Sequence, residues 1–207
     1  MWLALTGLTF VGCHFQNAAE SKRESSNVRH MPPPKEARDW EPILFDVIDG
    51  KIKQASLLPL RTKTMAEGDL EIRVWTGFGE TAPKRTRALM MEKNAGGWSA
   101  IHLPPETDGK TMIERKTPRR SWDALWKELD ELRFLALPDI TETKGQVFED
   151  APLIVVEIKD GGRYRNYMQV EDKNPEDYPP QLRTSESVRL TEACRILSKE
   201  FNVALCF

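Results

Sequence analysis

The stretch SWDALWKELDELRFLALPD, residues 121–139, limits the fold of this chain more than any other. Trp122, Leu125, Trp126, Leu129 and Leu132 recur at the three- and four-residue spacing that lines one face of an α-helix. Asp123, Lys127, Glu128, Asp130 and Glu131 take the opposite face, so one side of this helix has to be buried. Ser121 is a good N-cap, and Asp123 lies in the first turn, where the helix dipole favours an anion. Leu137-Pro138-Asp139 is expected to stop the helix, because proline cannot continue the hydrogen-bond ladder. Two tryptophans are a large apolar payload for so short an element. They are expected to be its buried anchors, and they require a broad surface to pack on.

The flanking segments read as strands that supply that surface. Leu70 to Trp75 alternates with period two, Thr86 to Lys93 returns after a loop, and Trp98 to Leu103 follows the turn Asn94-Ala95-Gly96-Gly97. Downstream, Leu153–Lys159 and Tyr164–Val170 form a hairpin around Asp160-Gly161-Gly162, residues that accept a tight turn. A second helix runs from Ser185 to Phe201, with Leu190, Ala193, Cys194, Leu197 and Phe201 as its apolar stripe. Val203 to Phe207 is expected to be a short edge strand. The order of three strands, helix, two strands and helix predicts an α+β fold, a single antiparallel sheet of about five or six strands with two helices on one face. Before the first strand, Trp40 to Ile48 opens the folded part, Asp49-Gly50 reads as a turn, and Pro59 limits any helix in 54–60.

With 30 basic and 32 acidic residues, the net charge of −2 argues against general nucleic-acid binding. A domain over residues 41–207 is long enough to bury a core without a metal or disulfide. The first thirteen residues, MWLALTGLTFVGC, stand apart. Trp2 to Val11 is an apolar run of signal-peptide length. Phe10-Val11-Gly12-Cys13 resembles the lipobox of bacterial lipoproteins, which implies a signal peptide at 1–12 and a membrane anchor through lipid on Cys13. Phenylalanine stands where that pattern usually has leucine, and no Lys or Arg precedes the apolar run. The alternative is a hydrophobic N-terminus buried in the fold, with Cys13 an ordinary thiol. Residues 13–40 are polar and balanced in charge, with Pro32-Pro33-Pro34 a stiff spacer, and they read as a disordered tether.

A further likeness rests on several short motifs. Glu71-Ile72-Arg73-Val74-Trp75, Gly77-Phe78, the Trp122/Leu125/Trp126/Leu129 stripe with Leu137-Pro138-Asp139, Asp150-Ala151, Glu157 and Arg163-Tyr164-Arg165-Asn166-Tyr167 together resemble a family of bacterial proteins of unassigned function. The likeness spans roughly residues 57–200 and implies a single, often exported domain. It carries no catalytic residue with it.

The familiar catalytic patterns are missing: there is no P-loop, HExxH, GxSxG or CxxC. His102 is isolated in sequence, and His14 and His30 fall in the tail, so no metal and no cofactor is expected. Gly77-x-Gly79 with Lys84, Arg85 and Arg87 suggests a phosphate loop, but a strand rather than a helix follows it, which favours a glycine-rich hairpin loop. Lys110, Arg115, Lys116, Arg119 and Arg120 form a basic run that could face an anionic partner, or simply be a solvated connection. Glu157 is the carboxylate to inspect first, because it interrupts an apolar strand. With Cys13 assigned to lipid, Cys194 and Cys206 remain as a pair, either bridged or buried as thiols. Three functions stay open: a lipid-anchored envelope protein with a non-catalytic binding or structural role, a hydrolase using Asp/Glu chemistry, and an intracellular accessory protein.

Overall fold

The computed structural model describes residues 41–78, 84–139, 153–170 and 184–206. The expected signal peptide and tether with Cys13, the tip of the Gly77–Arg87 loop and most of the 139–151 loop lie outside these residues. Among the described residues six strands make one sheet: β1 Leu70–Thr76, β2 Arg87–Asn94, β3 Gly97–Leu103, β4 Glu114–Lys116, β5 Leu153–Asp160 and β6 Arg163–Val170. Their spatial order is β4-β3-β2-β1-β5-β6, and every neighbouring pair is antiparallel. With helices α1 Glu41–Gln54, α2 Trp122–Glu131 and α3 Ser185–Phe201, the fold is α+β with a single sheet. Gly97, at φ +102°, and Gly161, at φ +53°, supply the backbone conformations that turn the β2–β3 and β5–β6 hairpins.

Helices α2 and α3 share the first face of the sheet. Ile72 and Val74 of β1, Leu89 and Met91 of β2, and Val156 and Ile158 of β5 point into one core with Leu125, Leu129, Leu190, Cys194 and Leu197. Ser121 caps α2 by accepting from the backbone N–H of Ala124, and Thr184 and Ser187 form a reciprocal cap on α3. Two details differ from expectation. Helix α2 ends at Glu131, well before Pro138, because Arg133 adopts a left-handed φ of +52° and swings Phe134 and Leu137 into the core. The residues of α2 that are fully covered are Leu125 and Leu129, each 1% exposed, whereas Trp122 and Trp126 are half-buried. The indoles pack instead against Trp98 of β3, Trp122 stacked on it and Trp126 tilted, with ring centroids 5.3 and 4.8 Å away, and Phe201 of α3 lies 5.6 Å from Trp122.

Val203–Cys206 does not form the expected edge strand. Asn202, left-handed at φ 50°, ends α3 and turns the tail across the sheet. There the Leu205 carbonyl accepts from Thr76 Oγ1 and from Arg87 Nε. A chain end satisfied by side chains in this way needs no strand partner.

The second face is covered by a helix that periodicity did not reveal. Leu44, Phe45, Ile48 and Ile52 of α1, with Ala55, pack on Trp75, Ala88, Met90, Leu103, Val155 and Met168. Asp49-Gly50, read as a turn, lies within this helix. A glycine in a helix interior costs about 1 kcal/mol, less than burial of the four large apolar side chains contributes. Pro42 stands in the first turn, where its missing N–H is harmless.

Leu125→Ala is expected to destabilise the domain by about 2–5 kcal/mol, and Trp126→Ala by less, since its ring is only partly covered. Urea unfolding of both variants checks the ranking, and a larger loss for Trp126→Ala would mean the ring is better covered than described.

Candidate ligand cleft on the second face of the sheet

Because α1 and the segment after it cover this face, the polar residues of β1 and β5 that alternation assigns to solvent are buried. Glu71, Arg73, Glu157 and Lys159 are each between 0 and 4% exposed. A buried charge survives only when paired or hydrogen-bonded, and each of these has a partner. Glu157 accepts from Trp75 Nε1 at 2.7 Å and from the Tyr164 hydroxyl at 2.8 Å. Lys159 Nζ donates to the Arg61 carbonyl at 3.1 Å, and burial, with Glu71 opposing, lowers its pKa. Arg61 forks onto both oxygens of Asp49 and lies 4.9 Å over the Phe45 ring, tying the post-helix segment to α1. Burial, reinforced by the Glu157 carboxylate, raises the Tyr164 pKa well above its usual value, so its proton stays on Glu157's hydrogen bond.

Glu71 and Arg73, two residues apart on β1, share one face of the strand. Arg73 Nε donates to Glu71 Oε1 at 2.7 Å, and Lys63 bridges the other Glu71 oxygen to Glu92, 3.2 Å away. Arg73 Nη2 donates to the Leu58 carbonyl at 2.9 Å. That carbonyl is brought within reach by Ser56, a non-glycine residue at φ +55°, which closes the end of α1 and turns Leu57-Leu58 along the sheet. The third nitrogen, Nη1, is buried and has no hydrogen-bond partner among the described residues. Arg73 is one of the residues bounding a cleft of about 280 Å³, together with Ser56–Leu58, Lys63, Glu71, Met90, Glu92 and residues 99–101. Small-molecule sites run from roughly 300 to 1,000 Å³, so this cleft suits a small molecule rather than a polymer.

The residues singled out from the sequence fall in several places. Glu157 is buried at 0% exposure and held by two neutral donors. His102, 6% exposed, lies on the first face, where its Nδ1 meets Glu114 at 3.1 Å across the β3–β4 pair. Burial lowers its pKa, with Glu114 opposing and Lys116 and Arg87 adding to the lowering. Lys84 and Arg85 are exposed, and the element that follows them is the strand β2 rather than a helix. Gly77, at φ +78°, is required there, since a Cβ would collide with the Arg85 carbonyl.

The basic run does not converge into one patch. Lys116 pairs with Glu114 at 2.9 Å, and Arg120 with Glu200 at 2.8 Å and with Glu128. Arg119 reaches Asn202, and Lys110 closes a small turn with Thr107. The pleat of β4 sends Arg115 to the opposite face from Lys116. Cys194 and Cys206 are joined by a disulfide, with Cα atoms 5.9 Å apart, which ties the tail to α3. Among the described residues no cluster of three or more His, Cys, Asp or Glu could hold a metal, and no helix is long and apolar enough to cross a membrane.

Sequence reasoning missed the cleft because Glu71 and Arg73 look like the solvated side of an alternating strand. Only their coverage by residues 41–63 changes their role. Compared with protein-family models and with curated proteins, the chain matches none.

Tyr164→Phe removes a hydrogen bond to a buried charged group and is expected to cost about 1.5–3 kcal/mol by urea unfolding; a loss indistinguishable from a surface variant would contradict the Glu157 arrangement. His102 has a pKa below the usual value near 6.5, so the unfolded chain binds the proton first as pH falls. Its contribution to stability is therefore present above about pH 6.5 and declines below it. His102→Gln is expected to flatten the fall in stability between about pH 7 and pH 5, and an unaltered slope would assign that fall to other groups.

Proposed function

We propose that this protein is a bacterial envelope protein held to a membrane through lipid on Cys13, and that its α+β domain is a non-catalytic binding module with the β1–β3 cleft as its ligand site. The observation that carries the binding reading is that Arg73, a residue of the cleft lining, keeps a buried Nη1 without a hydrogen-bond partner among the described residues. A donor left unpaired in a protein interior costs on the order of 1–3 kcal/mol. A ligand that accepts from it recovers that cost. The anchor rests on the apolar run before Gly12-Cys13. The Cys194–Cys206 disulfide is in keeping with an oxidising compartment, where such bonds persist.

Hydrolysis by paired carboxylates has less support. Glu71 and Glu92 both border the cleft, but Lys63 bridges them and Arg73 holds Glu71, so neither is presented as a free acid or base. An intracellular accessory role would leave Cys13 unmodified, and fractionation separates it from the anchored form.

Two measurements test the proposal. Expressed with its own N-terminus in a bacterial host, the protein is expected to incorporate labelled palmitate and sediment with membranes, and Cys13→Ser is expected to abolish both. Label that persists in Cys13→Ser, or never enters the wild type, would remove the anchor. In a small-fragment screen by NMR of the ¹⁵N-labelled full chain, shifted amides are expected around residues 56–58, 71–73 and 99–101; hits confined to another surface would remove the cleft as the ligand site.

A further inference from the structure

The strand register sets four side chains in one row on the second face: Arg73 opposite Met90, Met90 opposite Ile101, and Ile101 opposite Arg115. Directly paired residues point to the same side of a sheet, so the row runs from a buried guanidinium over two apolar side chains to a second guanidinium. Arg115 is exposed, one strand beyond the cleft lining, and has no ion pair among the described residues. Resting on the reading of this cleft as a binding site, we infer that its ligand is a small organic acid. One carboxylate oxygen accepts from Arg73 Nη1, an aliphatic or aromatic body lies over Met90 and Ile101, and Arg115 steers the anion to the mouth.

Three features favour a carboxylate monoanion over other oxyanions. Arg73 offers one free nitrogen, since Nε and Nη2 are committed to Glu71 and Leu58, so it cannot fork onto a phosphate with both terminal nitrogens. Glu71 and Glu92 stand in the same lining, so a dianion would meet more repulsion than a monoanion. The floor between the two arginines is apolar, and methionine adapts its shape to whatever body covers it. An amine ligand would meet the buried guanidinium, and a neutral alcohol would forgo the charge-assisted bond.

The test titrates the ¹⁵N-labelled full chain with benzoate, hexanoate, benzyl alcohol, benzylamine and inorganic phosphate. Benzoate and hexanoate are expected to saturate shifts at residues 73 and 101, with the alcohol, amine and phosphate at least about tenfold weaker. Arg73→Lys, which keeps the charge but lacks the free Nη1, is expected to weaken benzoate about tenfold or more. Ile101→Trp fills the floor without touching Arg73; it is expected to abolish binding with an unchanged circular dichroism spectrum, and it decides the matter if Arg73→Lys fails to fold. Arg115→Ala is expected to weaken benzoate about two- to threefold at low salt, with the difference vanishing at high salt.

Benzyl alcohol binding as tightly as benzoate, and lost in Ile101→Trp, would overturn the acid assignment while leaving the cleft a binding site. Phosphate binding more tightly than either acid would do the same. Benzoate binding untouched by Ile101→Trp would place the acid elsewhere and overturn the inference, as would the absence of saturable shifts with both acids.

Discussion

Covering both faces of a sheet whose central strand carries charges is the constraint from which the remaining structure follows. β1 lies between β2 and β5, with α2 and α3 on one side and α1 with its following segment on the other. Glu71 and Arg73 are therefore almost fully withdrawn from water, and an uncompensated charge there would cost several kcal/mol. The solution is local neutralisation. Arg73 and Lys63 hold Glu71, Asp49 holds Arg61, and Trp75 with Tyr164 supplies donors to Glu157. These pairs link β1, β5, β6, α1 and the 55–63 segment, so the charged layer also fixes where α1 sits.

The same constraint creates the cleft. A guanidinium has five N–H donors in a fixed fork, and a crowded interior rarely meets all of them. Glu71 and the Leu58 carbonyl satisfy two sides of Arg73 and leave the third unpaired, in a residue that borders the opening between Ser56–Leu58 and the floor of β2 and β3. Because those bonds already hold the guanidinium in place, little side-chain entropy remains to be lost when a ligand accepts from it.

Much of the fold was legible from local patterns. The five longer strands begin and end within a residue or two of where alternation and glycine turns put them, and α3 spans the expected Ser185–Phe201. These elements have one face in a core and one face polar, which is what periodicity detects. Helix α1 was not legible, because Asp49-Gly50 is a strong turn signal and Pro42 interrupts the start of the pattern. Burial of Leu44, Phe45, Ile48 and Ile52 outweighs both, and that burial depends on a surface assembled from strands far along the chain. β4 escaped for a different reason: three residues of mixed charge, Glu114–Lys116, pair with β3 through backbone hydrogen bonds, which leave no trace in side-chain periodicity.

The sequence by itself determined the α+β class, the antiparallel hairpins and the α2–α3 pair, since each depends on contacts between residues near in sequence or on a single amphipathic face. It also marked Glu157 as a carboxylate out of place among Ile154, Val155 and Val156. Tertiary structure alone decided that the polar side of β1 is interior, that Trp122 and Trp126 pack against Trp98 at the margin of the core, and that Arg73 and Arg115 stand in one row across β1–β4. Alternation reports that a strand has two unlike faces. Whether the polar face meets water or another layer of protein depends on what packs over it, and here that layer comes from residues 41–63, whose own pattern gave little sign of it.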